Sequence, residues 1–385
     1  MDNIKKKIFD ISSIGITDGV SAGIAGMFWF YIASELGPEN YGEITFLISI
    51  AALVSGIALF GSNNTILVLT AKKVDIQATI YLITIVANII GSIIIFALFF
   101  NLGISLVIIA YAMFSLVTFD LLGRKLYKSY SRYIIIQKIL LVGFGIGLYY
   151  LIGENGILIG IALSHAHFIF HIVKSFKNSK INFNLIRERK EFFLNNFAIS
   201  VSGTFYGSID KLIIAPLLGF MILGNYSLGL QFFSLLSLLP AMSVKYLTAQ
   251  NISGIPNKKL KKIIVSGSIG IAILGSTVGP IIISSIFPKF VESEDVIRII
   301  SWAVIPSTIQ ATYYFPKFWA HEKNRLILFT SMITVIIQII GIITLGPLYG
   351  VVGVASAFVI SSLCGTIFTA IIDKIMLSET NNKKS

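Results

Sequence analysis

Apolar stretches long enough to cross a bilayer recur along this chain from end to end, and they leave little alternative to a helical membrane fold. A helical crossing takes about 20 mostly apolar residues. Twelve stretches fit: 9–33, 43–65, 77–100, 103–122, 132–152, 155–173, 192–218, 222–248, 262–286, 296–319, 326–346 and 350–373. Within a bilayer every backbone N–H and C=O must be satisfied by the protein itself, so segments of this length read as helices. Composition agrees. Hydrophobic residues make up 55% of the chain and charged residues 12%, whereas soluble domains carry about 45–50% and about 25%. The longest strongly polar stretch, 174–191, is too short to build a core of its own. Lys5, Lys6 and Lys7 precede an apolar stretch as in a signal peptide, but its length and the lack of a small-x-small cleavage site make it a retained first span. Cys364 is the single cysteine, which excludes an intrachain disulfide and a cysteine metal cluster.

The formal charge of +12 could signal a nucleic-acid partner or a membrane charge bias. Position decides between them. With the N-terminus inside, the inner segments hold 24 of the 30 Lys and Arg residues, and the outer loops hold only Lys289. Such a bias toward the cytoplasmic side is how membrane proteins are oriented. The expected topology is multi-pass with both termini cytoplasmic; the expected partner is the lipid bilayer, and nucleic acid is excluded. The outer loops are short. The two larger ones, 34–42 and 287–295, lean acidic through Glu35, Glu39, Glu292, Glu294 and Asp295.

An internal repeat emerges from two matching turns. The first reads Leu36-Gly37-Pro38-Glu39-Asn40-Tyr41-Gly42; the second runs from Leu218-Gly219 to Gly224-Asn225-Tyr226. Each places Leu-Gly at the outer end of an odd span and Asn-Tyr where the next begins. The expectation is an all-α polytopic membrane protein of twelve transmembrane helices in two six-helix pseudo-symmetric lobes around a central cavity. The lobes take residues 1–175 and 192–375, with a cytoplasmic connector at 176–191 and a tail at 376–385. Internal repeats are a common plan of secondary transporters, whose substrate sites lie at the repeat interface.

These residues also carry a family resemblance. The Leu36–Gly42 turn resembles the first outer turn of the Wzx-type O-antigen flippases, polysaccharide exporters of the MOP (MATE-like) superfamily. The series Asp210-Lys211-Leu212-Ile213-Ile214, Leu218-Gly219, Gly224-Asn225-Tyr226-Ser227-Leu228 and Pro240 is similar to their seventh and eighth spans. The resemblance implies a MATE-like fold in the bacterial inner membrane. It also implies a polyprenyl-diphosphate-linked oligosaccharide as the substrate moved from inner to outer leaflet, and no enzymatic step or cofactor. Twelve spans set the chain apart from lipid II flippases, for which fourteen are typical. H+ or Na+ is the candidate coupling ion, and other polysaccharide-assembly membrane proteins are candidate partners.

A substrate of this kind needs a polar cavity, cations for its phosphates, hydrogen-bonding groups for its sugars and a side opening for its tail. Lys211 is the first cation candidate, because an ionisable residue within a span usually faces a polar interior or pathway. Asp210 precedes it, and about 100° of helix rotation between them predicts that the two side chains diverge and seek separate partners. One of the pair is expected to face the cavity and the other to tie the helix to a neighbour. Asp18 is the next candidate, as a proton or cation site or as a buried anchor. It lies beside a ridge of Gly15, Gly19 and Gly23 that would admit another helix closely. Lys138, Lys245 and Lys317 lie near inner span ends; they either snorkel to the surface or line a cationic inner mouth. Asn88, Gln231, Gln310 and Gln338 could hold sugar hydroxyls or bond other helices. Asp120 is expected at the interface. His165, His167 and His171 read as interfacial packing, with a His167–His171 metal pair as the sharper alternative.

No Gly-x-x-x-x-Gly-Lys-Ser/Thr sequence is present, so an ATP-driven pump is not expected. Two further functions share features with the chain. A cation-coupled multidrug exporter of the same superfamily would use acidic cavity residues, against which the span lysines count. A membrane-embedded polysaccharide polymerase or ligase would need a sizeable outer loop with catalytic groups. The outer loops here are short and hold no His.

Overall fold

The structure, a computed structural model, describes residues 2–238, 241, 247, 258–320 and 323–382. Every regular element among them is helical. The order is α1 (Asp2–Ala58), α2 (Ser62–Ala71), α3 (Gln77–Phe99), α4 (Leu102–Gly123), α5 (Tyr127–Ile152), α6 (Glu154–Ser164), α7 (Phe168–Asn178), α8 (Asn184–Arg187), α9 (Lys190–Leu218) and α10 (Phe220–Leu236). There follow α11 (Lys258–Ile286), α12 (Ser293–Ile300), a 3₁₀ turn (Ser301–Ala303), α13 (Val304–Ile309), a π turn (Gln310–Tyr314), α14 (Phe315–Ala320) and α15 (Asn324–Asn382). Seven helical segments are long and apolar enough to cross a membrane by length and composition. Two of these, Gly15–Ala58 and Arg325–Ile375, run 44 and 51 residues and bend at Gly37 and Gly350. Each is long enough for two crossings. Two further helical runs, α9 and α12–α14, occupy the places expected for the seventh and tenth spans, and α10 covers the first part of the eighth, whose remainder lies mostly outside the described residues.

The described chain forms two compact units. One comprises Met1–Ile32 and Phe46–Ser208, the other Ala33–Thr45 and Ile209–Ser385. Both α1 and α9 therefore contribute to each unit.

In the first unit the core gathers around Leu59, Ile66, Tyr81, Leu116, Leu121 and Phe168, drawn from the end of α1 through α7. Helices α2 and α4 end alike. Val74 N bonds Leu69 O while Lys73 N bonds Thr70 O, and Leu126 N bonds Leu121 O while Lys125 N bonds Leu122 O. This is the Schellman pattern, which satisfies orphan carbonyls through a left-handed residue; Lys73 and Lys125 both hold φ 59°. Two expected spans are interrupted: the second at 59–61, the sixth at 165–167.

In the second unit the two repeated turns meet. Gly37 (φ 77°, ψ 177°) and Gly219 (φ 91°, ψ 168°) share a backbone conformation that is essentially reserved for glycine. Gly153 (φ 75°, ψ −154°) and Gly350 (φ 57°, ψ −134°) form a second matched pair. The segments after Gly37 and Gly219 cross reciprocally. A Cβ on Gly224 would stand 1.8 Å from the Pro38 carbonyl oxygen, and one on Gly42 would stand 1.9 Å from that of Phe220. Pro38 and Phe220 are the first residues past their kinks, and Gly42 and Gly224 are the fifth. Thr45 and Ser227, the eighth, bond each other at 3.3 Å. The repeat is therefore real at this point, but its register is Leu-Gly-x-x-x-x-Gly. Asn40-Tyr41 and Asn225-Tyr226, aligned from sequence, are not equivalent, because the close backbone crossing aligns the glycines at the fifth position, which sets Asn40 third and Asn225 sixth.

The tenth-span run is uneven for a local reason. Pro316 lacks an N–H and crowds the carbonyl four residues earlier, and the preceding turn takes the wider π spacing over Gln310–Tyr314.

Candidate functional site

Within the first unit a cavity of about 440 Å³ opens between α1, α4, α5, α6 and the first half of α9. From α9 it receives Ser200, Gly203, Thr204, Gly207 and Ser208, a stripe of small residues at helical spacing. From the opposite side come Gln137 and Lys138 of α5, with Asn63 of α2, Tyr111 of α4 and His165 after α6. Gln137 donates to Ser164 Oγ at 3.0 Å, and Ser164 lies 3.1 Å from His165 Nδ1. Three buried oxygens around the cavity have no hydrogen-bond partner among the described residues: Ser55 Oγ, Asn63 Oδ1 and Gln137 Oε1. Buried polar atoms are ordinarily satisfied, so this concentration marks a place where water or a ligand completes the bonding.

Lys138 is the cation of this cavity. Among the described residues no acidic side chain lines the cavity, and none of their ion pairs includes Lys138. Surrounding atoms desolvate its ammonium and no described carboxylate compensates it. Lys138 is half-buried and forms part of the cavity wall.

The Asp210–Lys211 doublet lies in the second unit and differs from its expected geometry. Asp210 Oδ1 accepts from the Lys211 backbone N at 2.8 Å and lies 3.4 Å from Lys211 Nζ, an ion pair. The rotation of 100° separates only the Cβ directions. The carboxylate folds back over its own peptide, and the long lysine stem curls to reach it. Asp210 is 6% exposed and its other oxygen accepts from Tyr226 at 3.1 Å, while Gln338 donates to Tyr226 at 3.2 Å. Asp210 thereby ties α9 to α10 and α15.

The other candidates separate by their neighbours. Lys317 is paired with Asp373 at 2.5 Å, where α14 meets the end of α15. Lys245 lies outside the described residues. Asp18 accepts from Tyr130 at 3.1 Å. On the ridge beside it, a Cβ on Gly15 or Gly23 would meet nothing within 4 Å among the described residues. Asn88 is fully buried and donates to Thr84 O at 2.8 Å, a local bond within α3. Gln310 donates to Thr369 at 3.2 Å. Gln231 is half-buried on α10.

Asp120, expected at the interface, is fully buried. Arg124 Nε at 2.9 Å and His171 Nε2 at 2.7 Å hold its two oxygens, so a guanidinium and an imidazole replace the water an interfacial carboxylate would use. His171 is turned to Asp120, and His167 lies between Ser164 O and Tyr133 O, each at 3.1 Å. The two do not form a metal pair, and no group of three or more potential metal ligands occurs among the described residues.

Sequence inspection left Asn63, Gln137, Tyr111 and the α9 stripe unassigned, and set His165 down as packing. The signal was present in part. Gln137-Lys138 is a polar doublet within an apolar span, like Asp210-Lys211, and Ser200, Gly203, Thr204 and Gly207 recur at helical spacing.

No protein-family model matches the sequence, and comparison with curated proteins finds no match. Comparison of structures does find likenesses. An inward-facing multidrug resistance MATE family transporter of the MOP superfamily superposes with TM-score 0.72 at 13% identity, over 95% of this chain and 96% of that one. The lipid II flippase MurJ, in an inward closed conformation, gives 0.69 at 16% identity, over 94% and 87%. A MOP superfamily transporter from Pyrococcus furiosus, described as having a binding pocket of reverse polarity, gives 0.61 at 14%, over 96% and 95%. The chain has the MATE-like fold that these transporters share.

Proposed function

We propose that this protein is a flippase that carries a polyprenyl-diphosphate-linked oligosaccharide from the inner to the outer leaflet of a bacterial cytoplasmic membrane, with both termini in the cytoplasm. One observation carries the proposal: the Lys138 ammonium borders a polar cavity with no carboxylate among the described residues to neutralise it. A desolvated, uncompensated cation is costly, and a site retaining one is suited to an anion. A diphosphate supplies the charge, and the sugar hydroxyls supply donors for Ser55, Asn63 and Gln137. Lys211 and Lys317 already hold carboxylates, so in this proposal they support the helices and Lys138 takes the headgroup. That no acidic residue is among the described residues of the cavity wall counts against a cation-coupled exporter of cationic drugs. Each net negative charge moved outward across an inside-negative potential gains about 2.3 kcal/mol per 100 mV, a driving force that needs no nucleotide.

Deletion of the gene tests this directly. The expected outcome is a polyprenyl-linked sugar accumulating on the cytoplasmic leaflet, cleared by the wild-type gene and not by Lys138→Gln. A deletion strain with no accumulated intermediate would rule the flippase out.

A further inference from the structure

The break in the second expected span faces α9 at backbone distance. A methyl group on Gly61 would stand 2.4 Å from the Asn196 carbonyl carbon and the Phe197 nitrogen, and one on Gly56 would stand 2.4 Å from Thr204 Oγ1. One neutral hydrogen bond, Asn196 to Thr65 at 3.1 Å, and one ring contact, Phe60 to Phe197 at 5.6 Å, join the two segments beside these glycines. Phe60 (φ 50°) and Gly61 (φ 70°) are two successive left-handed residues, a strained conformation for phenylalanine of the kind that collects at functional joints.

The two sides of this seam differ in chemistry. On one lies the Lys138 cavity, which Leu59, Asn63, Ser200 and Thr204 reach. On the other lies an apolar groove of about 360 Å³, walled by Phe60, Ile80, Ile83, Ile186, Leu194 and Phe197. Neighbouring residues serve opposite sides: Leu59 and Asn63 face the cavity, while Phe60 and Ser62 face the groove. On α9, Phe197 and Ser200 are separated by about 4.5 Å of helical rise. The polar cavity and the apolar groove therefore lie back to back at nearly one level.

We infer that the groove holds the hydrocarbon tail of the ligand whose anionic head occupies the Lys138 cavity, and that the seam between residues 56–65 and α9 is the passage for the link between them. The inference rests on the proposed flippase function. A head group needs water and a cation; a long isoprenoid tail needs a hydrocarbon surface. A ligand with both must lead its tail out of the polar cavity somewhere. This seam offers Gly61 against the Asn196–Phe197 backbone, a neutral hydrogen bond between Asn196 and Thr65, a pre-bent joint and an apolar groove directly outside.

The test uses the full-length protein in proteoliposomes and two probes, a diphosphate bearing one fluorescent N-acetylhexosamine on either an undecaprenyl or a geranyl chain. Leu194→Gln or Ile83→Gln places an amide against the tail and alters no residue of the cavity wall. Each is expected to slow transport of the undecaprenyl probe about tenfold while leaving the geranyl probe, too short to fill the groove, unchanged. Equal effects on both probes, or on neither, would overturn the groove assignment. A wild-type protein that moves neither probe would instead overturn the flippase function itself. A second measurement is independent of transport. With Cys364→Ser as background, Leu194→Cys is expected to be protected from a lipid-soluble maleimide by the undecaprenyl probe and not by the geranyl probe. Equal labelling with either probe would mean that ordinary bilayer lipid fills the groove.

Discussion

Replacing Lys138 with methionine removes one charge and keeps nearly the same length and volume. The structure predicts opposite effects on stability and on binding. Lys138 has no described carboxylate in reach and is desolvated by its cavity, so its charge is a net cost to the folded state. An unpaired buried ion costs several kcal/mol, and the polar, open cavity reduces this to about 1–2 kcal/mol. Relieving it should raise the apparent melting temperature of the purified protein by about 1–3 °C, given how weakly Tm responds to each kcal/mol in a chain of this size. Binding should move the other way. A charge-assisted hydrogen bond contributes about 1.5–3 kcal/mol, so affinity for undecaprenyl diphosphate should fall about 10- to 150-fold. Lys138→Arg should restore much of the affinity and lose the gain in stability. Differential scanning fluorimetry and a direct binding titration measure the two effects. A Lys138→Met protein that melts lower than wild type, or binds as tightly, would show that the lysine is structural.

Three other perturbations have defined outcomes. Asp120→Ala removes the carboxylate that Arg124 and His171 share at a fully buried position and should cost about 1–3 kcal/mol; near-normal yield and melting temperature would contradict the network. Gly42→Ala and Gly224→Ala each drive a methyl group into the opposing carbonyl of the same crossing, so each should sharply reduce folded protein, and the double variant should be less damaging than the two effects summed; strict additivity in thermal melts would mean the crossing does not act as a unit. Lys211→Glu sets a second carboxylate beside buried Asp210 and should abolish export while the protein still reaches the membrane; full surface polysaccharide in that strain would separate the doublet from transport.

Much of the helical plan was legible because it follows from solvent alone. Residues that must avoid water for about 20 positions declare a span, and Leu36-Gly37 and Leu218-Gly219 declared bends that only glycine makes. Side-chain partnership was less legible. Lys138 and Lys317 look alike in sequence, each a lysine near an inner span end. What separates them is that Asp373, 56 residues further on, reaches Lys317 and no described carboxylate reaches Lys138. Asp210 and Lys211 were read from the angle between adjacent Cβ atoms, which says where side chains start and not how far a flexible stem travels. Asp120 was read from its depth in the span, which does not reveal that Arg124 and His171 would converge on it. The α9 stripe was written in small residues whose role depends on what stands opposite, and one helix does not specify that.

The crossing at Gly42 and Gly224 has a bearing on where such a chain could have come from. Position five of one segment touches position one of the other and the converse holds, while the two eighth positions, Thr45 and Ser227, meet each other. Mutual contacts of this form are isologous, the kind that two identical subunits make about a two-fold axis. A half-length ancestor carrying a single Leu-Gly-x-x-x-x-Gly turn would already have possessed both faces of the contact, and could have associated as a homodimer before its gene was duplicated and fused. Lys138 and its cavity could arise in one half, and the buried Asp210 network in the other, while the two glycines at the crossing, which face each other's carbonyls, could not drift apart in kind.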